Sequence, residues 1–213
     1  MNDQAEKTPH GKRTGSGKNI GRPPGKIKIA EAFKLLIAQK DFNAITTAEI
    51  AKASGCNESL IYRYFGDKRG IMHQLFLDIF QNYLKTLRKD LRKTEGNFNK
   101  LRFFIKSHVG LYHSDYALAR IALLEVRNFP RYFESETYAL VKQYSCILTG
   151  ILDEGIKNRE IRNDIPINDL RQAVFGVIEH MCLPKIIYHK VYSVDQLSDH
   201  ACAILFEGIM SRK

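Results

Sequence analysis

Apolar residues along this chain recur every three or four positions, and no stretch alternates long enough to build a sheet. That pattern predicts an all-α fold. Ala30, Phe33, Leu36 and Ile37 mark one face of a first helix that ends near Lys40. A second helix follows Thr46-Thr47-Ala48-Glu49. Thr46 and Glu49 stand at capping-box spacing, so the hydroxyl is expected to accept from an orphan amide while the carboxylate reaches back. Ile50, Ala51 and Ala53 form its apolar face. Gly55 permits a sharp turn, and Asn57 suits the N-cap of a short third helix through Phe65. Gly66-Asp67-Lys68 breaks that helix, and a long one follows over 67–93, with Leu75, Ile79, Tyr83, Leu87 and Leu91 at four-residue intervals. Further helices are expected near 98–113, 116–127, 131–158, 167–189 and 194–210. Pro130, Pro166 and Ser193 lie near three of their starts, and Ser193 with Gln196 repeats the capping-box spacing. Pro184 is expected to kink or end the helix that contains it.

With 44% hydrophobic and 26% charged residues, the 213-residue chain reads as globular. It has no long apolar run, so no membrane span is expected. Its basic beginning has no apolar segment behind it, so no secretory signal is expected. The four cysteines, Cys56, Cys146, Cys182 and Cys202, include no CxxC pair, and free thiols in a reduced cytoplasm are the expectation. The net charge of +10 is polarised: residues 1–93 carry +9 and residues 94–213 only +1. One end is therefore expected to meet a polyanion, with nucleic acid the first choice and an anionic membrane surface the second. Residues 1–25 lack a hydrophobic period and read as a flexible basic arm. Its end, Gly21-Arg22-Pro23-Pro24-Gly25-Lys26, is similar to the Gly-Arg-Pro core of minor-groove hooks, with Arg22 as the groove reader.

The segment Thr46 to Ile71 reads as a helix-turn-helix, two short helices joined through Gly55. In that unit the second helix enters the major groove with its first residues against base edges. Those residues are Glu58 and Ser59, with Tyr62 and Arg63 one turn on. Arg63 can pair bidentately with guanine, while Ile61 and Phe65 are expected in the core.

The same stretch resembles the DNA-binding domain of the tetracycline-repressor (TetR) family, in the order Thr-x-x-Ile-Ala, a glycine turn, then Leu-Ile-Tyr-Arg-Tyr-Phe-Gly-Asp-Lys-x-x-Ile. The resemblance covers about residues 27–76. It implies a basic arm over 1–25, a DNA-binding domain over 26–70 and a helical ligand-binding and dimerisation domain over 71–213. It further implies phosphate contacts from Thr47, Tyr62, Tyr64 and Lys68, with Ala48, Glu58, Ser59 and Arg63 facing bases. The last two helices, 167–189 and 194–210, would pair with those of a second subunit through Ala173, Gly176, Val177, Ala201, Cys202 and Leu205. The function implied is a homodimeric regulator, a repressor that leaves a palindromic operator when a small molecule binds.

Phe104, His108, Tyr112, Leu123, Tyr144, Leu148, Phe175 and His180 are the candidate pocket residues, and an aromatic lining of that kind suits a largely apolar effector. Arg120, Glu125 and Arg127 are expected to form internal ion pairs. His108 with His113, and His180 with Cys182, have the wrong spacing to share a metal, so neither metal nor cofactor is assigned. No nucleophile–base order, phosphate loop or dinucleotide fingerprint supports an enzyme. An architectural DNA-binding protein without an effector, and a carrier of a hydrophobic small molecule, remain the alternatives.

Overall fold

Residues 22–128 and 131–207 are described by a computed structural model, and the regular structure among them is helical, with no strand. The expected arm up to Gly21, the helix start at Pro130 and the end of the last helix past 207 lie outside the described residues.

Helix α1 (Pro24–Gln39) begins ahead of the expected apolar face, because Pro24 sits in the first turn, where its missing N–H costs nothing. Its buried face is Ile29, Ala32, Phe33 and Ile37, turned from the expected one; Ala30 and Leu36 are only half-buried. A 3-10 turn (Phe42–Ala44) leads to α2 (Thr47–Ser54) and α3 (Ser59–Phe65). Ile50 and Ala51 anchor α2, but Ala53 is exposed. Asp67 caps α4 (Lys68–Leu91) by accepting from the Gly70 amide at 2.7 Å. Gly70 closes the α3–α4 corner: a Cβ there would stand 1.9 Å from the Phe65 carbonyl oxygen.

Helix α4 joins the two halves. Its first turns pack on α1 and α3, and its remainder packs on α5 (Asn97–Ser114) and α7 (Glu136–Lys157). The expected helix over 116–127 is divided. Asp115 caps a short α6 (Tyr116–Arg120), a π-helical turn covers Ile121–Glu125, and a 3-10 turn covers Val126–Asn128. Such wide turns are frequent at functional sites. α7 starts at Glu136 rather than 131, because Ser135 is the residue that caps it, accepting from Tyr138 N at 3.1 Å.

Helices α8 (Ile167–Tyr188) and α9 (Val194–Glu207) complete the fold. Pro184 does not end α8. Cys182 and Ile186 on either side of it are buried, and Lys185 donates to the His113 carbonyl at 2.9 Å, so packing on α5 carries the helix to Tyr188. Ala201 and Cys202, expected at a subunit interface, are buried within this chain instead, where α9 packs against α5. Ala173 and Gly176 are exposed, and Val177 and Leu205 are half-buried.

Candidate functional site

Local caps and one glycine set the geometry of α2 and α3. Thr46 accepts from the Glu49 amide at 3.1 Å, as its spacing predicts. The Glu49 carboxylate does not reach back; it pairs with Lys40 at the end of α1, which lowers its pKa. Gly55 takes φ 64°, a left-handed conformation that suits glycine. Asn57 Oδ1 then accepts from Ser59 N at 2.9 Å and starts α3.

These devices put Ile61 in the core and leave Ser59, Tyr62 and Arg63 outward, with Ala48 exposed on α2. Tyr62 is 54% exposed. Its hydroxyl lies 3.3 Å from Thr47 Oγ1 and donates to Glu58 Oε1 at 3.5 Å, so three expected DNA-contacting residues converge on one point. Tyr64 is half-buried, with its ring edge-on to Phe65 and the Arg63 guanidinium 5.9 Å from it.

Two expected DNA contacts are engaged elsewhere. Lys68 turns inward and donates to the carbonyls of Phe42 and Ile45, 2.6 Å each, with the Phe42 ring 4.3 Å away. Burial, then neighbouring Arg69, lowers its pKa. Arg22 forks across the carboxylate of Asp78 on α4, one arm at 2.7 Å, and Gln74 donates to the same carboxylate at 2.9 Å. Neither pairing could be read from local spacing.

Behind the helix-turn-helix, a cavity of about 350 Å³ opens between α4, α5, α7, α8 and the residues Ala122, Val126, Arg127 and Tyr132. Its inner wall carries Phe76, Phe80, His108, Tyr112, Tyr144 and Phe175. Ser145, Gln172, Glu179 and Arg127 add polar groups, and Gln172, Gly176 and Arg127 are exposed at its edge. Four of the eight sequence candidates thus line it. Phe104 stacks on Tyr144 from behind, with centroids 4.9 Å apart. Leu123 and Leu148 are not on its wall, and Leu148 is core. His180 is exposed and does not line it; its neighbour Glu179 does, paired with Arg127 at 2.7 Å. Of the other two expected ion-pair members, Arg120 pairs with Asp41, so both arginines take partners other than Glu125. Phe76 and Phe80 of α4 line the cavity without being among the sequence candidates; their four-residue spacing is the signal that marks them as one face.

Residues 29–75 match the family described as bacterial regulatory proteins, tetR family, and residues 76–208 match the YsiA-like C-terminal region. The chain belongs to the tetR family. As a member it is a DNA-binding transcriptional regulator and not an enzyme; its partners are operator DNA, a second copy of the chain and a small-molecule effector. The fatty acid metabolism regulator protein of Bacillus subtilis is 28% identical over 189 residues, which is 89% of this chain and 97% of that protein. The structure of FadR from Bacillus subtilis in complex with stearoyl-CoA matches with a TM-score of 0.77 at 28% identity, covering 86% of this chain and 99% of that one. FadR from Bacillus halodurans matches in fold, with a TM-score of 0.79 at 22% identity over 90% of this chain and 99% of that one.

Proposed function

We propose that this tetR-family regulator is a repressor released from its operator by a long-chain acyl-CoA. One observation carries the effector class: a tetR-family relative 28% identical over nearly its whole length was solved with stearoyl-CoA, and this chain holds an aromatic-walled cavity with a polar edge. An acyl chain suits the inner wall, and the polar, hydrated part of the molecule suits the edge at Arg127, Gln172 and Ser145.

In this reading residues 26–70 bind DNA and residues 71–213 bind effector and partner, with residues 1–25 an accessory arm. Ala48, Glu58, Ser59 and Arg63 face bases, and Thr47, Tyr62 and Tyr64 hold phosphates. Arg22 reaches the minor groove only when it leaves Asp78. A second copy docks on the outer face of α8 and α9, where Ala173, Gly176, Ile187 and Ile204 are exposed. The protein acts in the cytoplasm; among the described residues no helix is long and apolar enough to cross a membrane.

The test is a titration of the operator complex with stearoyl-CoA. Release of DNA at micromolar ligand or below is expected. An operator complex indifferent to saturating stearoyl-CoA and to shorter acyl-CoA thioesters would overturn the reading.

A further inference from the structure

His108, on the inner wall of the cavity, does not suit a plain hydrocarbon chain. His108 is 2% exposed and lines the cavity, and its Nδ1 is buried with no hydrogen-bond partner. The rings of Tyr112 at 4.6 Å, Tyr144 at 5.4 Å, Phe175 at 6.0 Å and Phe104 at 6.5 Å between centroids surround it, and its Nδ1 bonds to neither tyrosine hydroxyl. A buried polar atom left unpaired costs stability that a hydrogen-bonding ligand can restore. A phenylalanine would serve a saturated chain better and would fill similar space.

We propose that the effector is an acyl-CoA whose chain bears an oxygen, a hydroxyl or keto group part-way along it, and that His108 recognises that oxygen. The inference rests on the acyl-CoA reading above and narrows it. With the polar part of the ligand at the exposed edge beside Arg127 and Gln172, the group that reaches His108 belongs to the chain. A saturated chain drawn past His108 offers its imidazole no hydrogen bond and leaves Nδ1 as unpaired as before. A hydroxyl can donate to the imidazole or accept from it, and a keto oxygen can accept.

The surroundings also fix the charge of that group. Burial, with the positive charge of Arg127 adding to it, pushes the His108 pKa down to about 3, so the ring is neutral at physiological pH. A neutral imidazole offers one donor and one acceptor. Glu179 already places a carboxylate on this cavity, so a second carboxylate at the far end of the chain would enter a site with no spare cation at the inner wall. A neutral oxygen fits; a dicarboxylic chain does not.

The experiment measures binding of stearoyl-CoA and of a positional series of monohydroxy- and monoketo-stearoyl-CoA to the full chain by calorimetry. At least one oxygenated position should bind about tenfold more tightly than stearoyl-CoA. His108→Phe, and His108→Leu where the phenylalanine variant fails to fold, should erase that preference by weakening the oxygenated ligand and sparing or improving stearoyl-CoA. Operator binding by the ligand-free variants should persist, which separates loss of recognition from loss of fold. Equal binding of stearoyl-CoA and every oxygenated chain, or a preference that survives both substitutions, would overturn the proposal. Binding of no CoA thioester at all would instead remove the effector class on which it rests.

Discussion

Arg120 is buried, and its guanidinium donates across 2.6 Å to the carboxylate of Asp41, which is otherwise open to solvent. The pair joins the end of α6 to the turn after α1. At the other end of α6, Asp115 pairs with Lys34 of α1. The chain beyond Arg120 is the π-helical turn, and Ala122, Val126 and Arg127 from this stretch line the cavity. α6 is thus fastened to the DNA-binding unit at both ends and continues directly into the cavity wall.

Loosening α6 should therefore uncouple the two sites without destroying either. In Asp41→Asn with Asp115→Asn, asparagine keeps the cap that Asp115 gives the Leu118 amide but removes both charges. Operator affinity without ligand and stearoyl-CoA affinity without DNA should change little, since partly exposed ion pairs contribute about 0–1 kcal/mol each. The factor by which ligand weakens operator binding should fall toward one, from the roughly 5–150-fold usual for coupled sites. An undiminished factor in the double variant would show that α6 does not connect them.

The helix-turn-helix should separate into residues that shape it and residues that read. Lys68→Ala removes both hydrogen bonds to the turn after α1, so it should lower the thermal midpoint as well as DNA affinity, at a cost of about 1.5–3 kcal/mol for a charge-assisted bond. Arg63→Ala should leave stability intact and relax preference at one base pair per half-site, a loss of about 1–3 kcal/mol. Thermal melts and binding to a set of single-base operator variants check both. A Lys68→Ala protein as stable as the parent would return Lys68 to a purely phosphate-binding role.

The helix-turn-helix was legible because its determinants are local. Thr46 to Glu49, Gly55, Asn57 to Ser59 and Asp67 to Gly70 are caps and turns closed within four residues. The roles of Lys68 and Arg22 were not legible, because their partners lie 23, 26 and 56 positions away. The cavity was half legible. Its aromatic character followed from composition, but α8 is apolar on several sides, so periodicity did not fix its phase. The candidate His180 therefore proved to lie outside, and Glu179 inside. The π-helical turn has no sequence signature of its own, and the expected helix there ran straight through it.

His108 should also make the protein acid-sensitive. Its pKa is about 3 when folded, against 6.5 for an ordinary histidine, so between these values the unfolded chain binds the extra proton and stability falls as pH falls. The contribution is fully present above pH 6.5 and is lost through the acid side of that window, by up to about 1.4 kcal/mol per pH unit. Burial lowers His73 in the same direction. Denaturant unfolding at pH 7 and pH 5 should show a smaller acid loss in His108→Phe than in the parent. Equal losses would mean that His108 is accessible to protons in the folded state.

In the proposed mechanism one chain links an acyl-CoA cavity to an operator. The most direct test of that link is the stearoyl-CoA dissociation constant measured twice, on the free protein and on the protein saturated with operator. Linkage requires that operator weaken ligand binding by the same factor by which ligand weakens operator binding, and a factor of about five or more in both directions is expected. Tight stearoyl-CoA binding with the same constant on free and operator-bound protein would contradict that mechanism.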